Sequence, residues 1–121
     1  MTPLRLEPGM RSEPIAIDEE EYTMASIVVS YPRSSDSTFD KDYYANTHIP
    51  LVQRHWEPCG MTGAEILFPI DDAQPYAAMV ILRFPDQASI DRAMGSPGTP
   101  EVMADVPRFT NIQPAILRAA D

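Results

Sequence analysis

Tyr76–Phe84 is an almost unbroken apolar stretch bounded by Pro75 and Pro85, and it restricts the possible folds more than any other segment. Such a run reads as a central strand covered on most of both faces. Met24–Tyr31 shows the same property in alternating form. Ala25, Ile27, Val29 and Tyr31 occupy one set of positions, and Ser26, Val28 and Ser30 the other. In both segments, each face carries apolar residues, so a sheet built from them must be covered on both sides. Helices can cover one side. A symmetric dimer with sheets packed face to face is the economical cover for the other.

The remaining elements follow from punctuation. Asp40 is the expected N-cap of a helix with Asp42 in its first turn; the helix runs through Tyr43, Tyr44 and Thr47 toward His48. Pro50 lacks an N–H and crowds the carbonyl of Asn46, which predicts a kink or restart before a second piece, Leu51–Trp56. Pro58-Cys59-Gly60 stops that piece, and Met61–Phe68 reads as a strand. Asp86 caps another helix with Ile90, Ala93 and Met94 on one face. Thr99-Pro100-Glu101 reads as cap, first-turn proline and first-turn acid of a short helix over Glu101–Asp105. Asn111–Arg118 is the last strand. The order β-α-β-β-α-β predicts an α+β, ferredoxin-like domain with a four-stranded antiparallel sheet, spanning residues 24–121. Residues 1–23 show no convincing period and are expected to be an extension, partly flexible.

Composition narrows the partners. The net charge is −9, so nothing here neutralises a run of phosphates or favours an anionic bilayer; neither nucleic acid nor membrane is expected as a partner. Cys59 is the single cysteine, which excludes an intrachain disulfide. No apolar run approaches a membrane span or a signal peptide, and a cytoplasmic location is expected.

Chemistry concentrates in Phe39–Leu51. His48, one of two histidines, is the side chain best suited to move a proton near neutral pH. Tyr44, four residues earlier, shares its helix face and is the better placed of the two tyrosines to hydrogen-bond a ligand. His48 also has a structural reading, in which its ring bonds carbonyls left open by the Pro50 break. Tyr43 is expected either under the helix with Phe39 or on the rim of a binding site. His55 lies about 10.5 Å from His48 along an unbroken helix at ~1.5 Å per residue, too far to share a metal, so no metal site is expected. No phosphate loop, dinucleotide fingerprint or nucleophile elbow is present, and no cofactor is expected.

Phe39-Asp40-x-Asp42-Tyr43-Tyr44-x-x-x-His48-x-Pro50-Leu51 resembles the signature of the EthD-like family of dimeric α+β barrel proteins. So does the distal Met103-Ala104-Asp105-Val106-Pro107-x-Phe109-Thr110 stretch, continued by Asn111-Ile112-Gln113-Pro114. The resemblance covers roughly Met24–Arg118. It implies a ferredoxin-like protomer that dimerises through its sheets into a barrel, with a ligand held between each sheet and its own helices. Many members of such a family have no defined reaction, while relatives in the same superfamily include lactone isomerases, polyketide-type cyclases and small monooxygenases.

Within that frame, His48 is expected as the acid–base group, Tyr44 as the donor to an oxyanion, and Asp105 as the carboxylate that orients His48. Tyr43, Trp56, Thr110 and Asn111 are the expected substrate contacts. Asp105 and Thr110 also have a local reading, as the end of a helix and the brace of a turn. The expected activity is cofactor-independent isomerisation, cyclisation or oxygenation of a hydrophobic carbonyl or phenolic metabolite. The rival expectations are a non-catalytic accessory protein that binds such a metabolite in a degradative or polyketide pathway, and a cleft simply filled by Met61, Met79 and Met94.

Overall fold

A computed structural model describes residues 24–120. The expected extension over 1–23 lies outside the described residues. Four strands, β1 (Ala25–Pro32), β2 (Gly63–Leu67), β3 (Tyr76–Phe84) and β4 (Ala115–Ala120), form one antiparallel sheet in the order β2-β3-β1-β4. The two central strands are the two apolar segments of the sequence. This is the ferredoxin-like arrangement.

Register decides which residues share a face. Ile27 pairs with Leu82, Val29 with Val80 and Tyr31 with Ala78, and this set faces the helices, all of it buried except the partly buried Val29. The opposite face carries two rows: Leu117, Val28, Ile81 and Glu65, then Ala115, Ser30, Met79 and Leu67. On that face Leu117 is 60% exposed and Leu67 43%. None of the described helices is long and apolar enough to cross a membrane.

Four α-helical pieces cover the inner face: α1 (Lys41–Tyr43), α2 (Ile49–Trp56), α3 (Gln87–Met94) and α4 (Thr99–Asp105). Asp40 caps α1, accepting the Tyr43 backbone N–H at 3.0 Å, and Asp86 caps α3, accepting that of Ser89 at 2.8 Å. Between α1 and α2 stands a π-helical turn, Tyr44–His48, in which the Ile49 N–H reaches back to the Tyr44 carbonyl. That turn is the physical form of the kink expected at Pro50. With no donor at Pro50, the chain widens by one residue and rejoins the α-helical path beyond it.

After α2 the chain reverses at Gly60, whose φ of 121° favours glycine; a Cβ there would also stand 2.8 Å from Ser89 Oγ of α3.

Most boundaries shift by one or two residues from the sequence reading, and two of the shifts have a plain physical cause. Gly98, not Thr99, is the cap position of α4. The Thr99 hydroxyl is occupied elsewhere, accepting from Trp56 Nε1 at 3.0 Å and donating to the Ala93 carbonyl. The last strand begins at Ala115 rather than Asn111. Asn111 is tied to residues 36–38 by its side chain, and Pro114 cannot donate to a ladder.

Candidate active site

The π-turn puts Tyr44 and His48 in parallel. Their rings stack with centroids 5.6 Å apart and planes 19° off, and Phe109 packs against both, 4.6 Å from His48 and 5.0 Å from Tyr44. The imidazole is therefore one corner of a three-ring aromatic cluster and is almost wholly buried.

Asp105, at the end of α4, reaches this cluster from a different part of the chain. One carboxylate oxygen lies 2.9 Å from His48 Nδ1, and the other accepts the Tyr43 hydroxyl at 2.8 Å. Burial raises the Asp105 pKa, but the bonds from His48 and Tyr43 prevail and hold it below the usual carboxylate range. For His48 burial dominates and lowers the pKa, with the Asp105 bond and charge opposing incompletely. The resulting state is a carboxylate beside a neutral imidazole. A carboxylate accepts only, so the Nδ1 proton points at Asp105 and the Nε2 lone pair is free. No side chain among the described residues bonds Nε2.

The sheet and helices enclose a cleft lined by Ile27, Val29, Tyr31, Tyr44, His48 and Trp56, with Val102, Met103 and Ile116 among the others. Its volume is about 40 Å³, above the roughly 10–15 Å³ that one water requires and far below the several hundred typical of a metabolite pocket. Met94 and Met103 line it, and their flexible thioethers are the side chains most able to give way. Of the methionines expected to fill the cleft, only Met94 is there; Met61 belongs to the core and Met79 to the outer face.

Tyr44 lines this cleft, and its buried Oη has no hydrogen-bond partner among the described residues. Such a group costs about 1–3 kcal/mol relative to a satisfied one and calls for a water or a ligand oxygen. Burial, together with the neighbouring Tyr31 hydroxyl, pushes the Tyr44 pKa far up, so it is a donor under all ordinary conditions.

The structure brings together His48, Tyr44, Asp105 and Tyr43, and puts Trp56 in the cleft wall. Tyr43 stacks against Phe109 and spends its hydroxyl on Asp105; it stands behind His48 and does not line the cleft. Thr110 and Asn111 lie outside the cleft as well. The Thr110 hydroxyl donates to the Thr38 carbonyl at 2.6 Å, and Asn111 bonds the Thr38 N–H and the Asp36 carbonyl. Both brace the 36–38 loop against the segment before β4. The sequence reading missed Tyr31, an inward-facing strand tyrosine whose phenol needs a polar partner; that mismatch was the available signal. Among the described residues no three His, Cys, Asp or Glu side chains converge as a metal site.

An EthD domain model matches residues 32–113, more than half of the chain. The chain belongs to the EthD family. Solved structures agree on the fold. An EthD-like protein from Ralstonia eutropha is similar over 80% of this chain and 90% of its own, with 22% identity and a TM-score of 0.69. A dimeric protein of unknown function and ferredoxin-like fold from Bacteroides fragilis matches at 8% identity and TM-score 0.53, over 81% of this chain and 96% of its own. SnoaB, a cofactor-independent oxygenase from Streptomyces nogalater, matches at 13% identity and TM-score 0.53, over 82% and 95%. No curated protein matches the sequence at a significant level. Both sequence motifs of this EthD domain meet at one place: the first supplies Tyr43, Tyr44 and His48, the second Asp105 and Phe109.

Proposed function

We propose that this EthD protein is a small cofactor-independent enzyme of isomerase or cyclase type, acting on a hydrophobic carbonyl or phenolic metabolite. The observation that carries the reading is the neutral His48, fixed by Asp105 so that Nε2 is free beside an apolar cleft. The Nε2 lone pair takes a proton from the carbon next to a carbonyl. The C–H electron pair becomes the enolate double bond, and the carbonyl oxygen takes up the negative charge. Tyr44 donates to that oxygen. The imidazolium then returns its proton to another carbon, or the enolate carbon attacks a second carbonyl, closing a ring, and the imidazolium proton goes to the alkoxide oxygen so formed. The same electron-rich anion is what a cofactor-free oxygenation consumes, and the fold's occurrence in a cofactor-independent oxygenase supports that variant.

The working unit on this reading is a cytoplasmic homodimer joined through the outer sheet faces. The exposed Leu117 and Leu67 and the partly exposed Val28, Met79 and Ile81 beside them support it.

A positioned acid–base group is worth about 10² to 10⁴ in rate. Turnover of a panel of enolisable ketones, lactones and phenols by wild type and His48→Gln should differ by that order. Equal rates in the two proteins would remove His48 from the chemistry. A co-purified ligand that stays bound and unchanged after incubation would instead mark an accessory binding protein of a degradative or polyketide pathway.

A further inference from the structure

The cleft is unusually poor in polar atoms. Among the described residues no Lys, Arg, Asp or Glu lines it, and the Trp56 indole N–H is already given to Thr99. What remains is His48 Nε2 and two phenols, Tyr31 and Tyr44. The two tyrosines come from different elements, the end of β1 and the π-turn, and meet edge to face with centroids 5.5 Å apart. Tyr44 is 0% exposed and Tyr31 2%, whereas Met103 and Ile116 at the other end are 41% and 52% exposed. The phenols thus mark the deep end of the cleft, and its mouth is hydrocarbon. No hydrogen bond of ordinary geometry joins Tyr44 Oη to Tyr31 or to any other described side chain. Tyr44 Oη is left unsatisfied yet close enough to the Tyr31 hydroxyl for each to shift the other, so a third oxygen arriving at Tyr44 also comes within reach of Tyr31.

We propose that Tyr31 and Tyr44 together grip a single substrate oxygen, so that the site takes an uncharged, largely hydrocarbon compound whose buried end is one ketone, quinone or phenol oxygen. A carbonyl oxygen has two lone pairs, one for each phenol, and the negative charge that gathers there on proton removal strengthens both bonds. A carboxylate or phosphate does not fit. Its second and third oxygens would meet a lining that is otherwise hydrocarbon, with no cation among the described lining residues. The Tyr31 pKa is raised to about 12, chiefly by burial, so it too remains a donor while it works. The inference rests on the proton-transfer reading for the identity of the oxygen, but the two separate in experiment.

The experiment titrates wild type, Tyr31→Phe, Tyr44→Phe and the double variant with para-nitrophenol and two less acidic substituted phenols, read by the phenolate absorbance band. Para-nitrobenzoate is the carboxylate control. A phenolate mimics the enolate, so the wild type should bind each phenol and shift its ionisation toward the phenolate. Each single Tyr→Phe change keeps the ring packing and should weaken binding about 10-fold or more. The double variant should bind weakest, and para-nitrobenzoate should bind worse than para-nitrophenol. Wild type failing to bind any phenol, Tyr31→Phe binding within twofold of wild type, or the benzoate binding as well as the phenol would each overturn the proposal. If both tyrosines matter for phenol binding while His48→Gln turns over normally, the oxygen anchor stands and the proton-transfer reading falls. The reverse pattern rejects the anchor alone.

Discussion

Burial keeps the His48 imidazole neutral, while Asp105 fixes which of its nitrogens carries the proton; together they set a pH window. His48 has a folded pKa below its ordinary value of 6.5, so it is already a base at pH 6.5. Activity (kcat/KM) should fall on an acid limb whose midpoint lies below 6.5. Asp105 opposes the lowering, so Asp105→Asn should move that limb to still lower pH. It should also cut the rate by about 10² or more, because nothing then holds the proton on Nδ1. A limb that moved upward would contradict the arrangement. The stability linkage has the same sign. With the folded value depressed, the unfolded chain binds this proton more readily. The His48 contribution is therefore complete above 6.5 and is lost as pH falls from there through the folded value.

At the scale of elements, the helix starts at Asp40 and Asp86 were legible because a cap is a local matter of one oxygen and one or two N–H groups. The break at Pro50 was legible as well, but not its form. A missing donor says that the α-helix must change and not whether it kinks, restarts or widens. The Thr99 cap was misplaced because its hydroxyl is claimed by Trp56 and Ala93, partners far off in sequence. Thr110 and Asn111 were expected in the cleft for the same reason in reverse: spacing cannot show which polar atoms a loop will consume. The π-turn permits a specific prediction. Pro50→Ala restores an N–H able to bond the Asn46 carbonyl, which should let the turn anneal into a plain α-helix. Stability in urea should stay level or rise by about 1 kcal/mol. Turnover should drop at least roughly 10-fold, as Tyr44 and His48 rotate out of their stack. Unchanged turnover would separate the turn from the chemistry.

For the whole molecule, the sheet has two apolar faces because the sequence alternation is incomplete on both central strands, and only one of them receives helices. The outer rows through Val28, Ile81, Met79 and Leu117 should therefore be covered by a second copy. Sedimentation should give twice the chain mass of 13.5 kDa, and Val28→Glu with Leu117→Glu should reduce it to a single chain. A wild type stable at the single-chain mass would contradict this packing. The inner face has the opposite character, with one neutral base and two phenols in hydrocarbon. Its purpose is tested most directly by deuterium exchange at the carbon beside the carbonyl of β-tetralone in heavy water, followed by proton NMR. Wild type should exchange that hydrogen about 10² times faster or more than His48→Gln at pH 7. Equal exchange in the two proteins, above the uncatalysed rate or at it, would contradict proton transfer by His48.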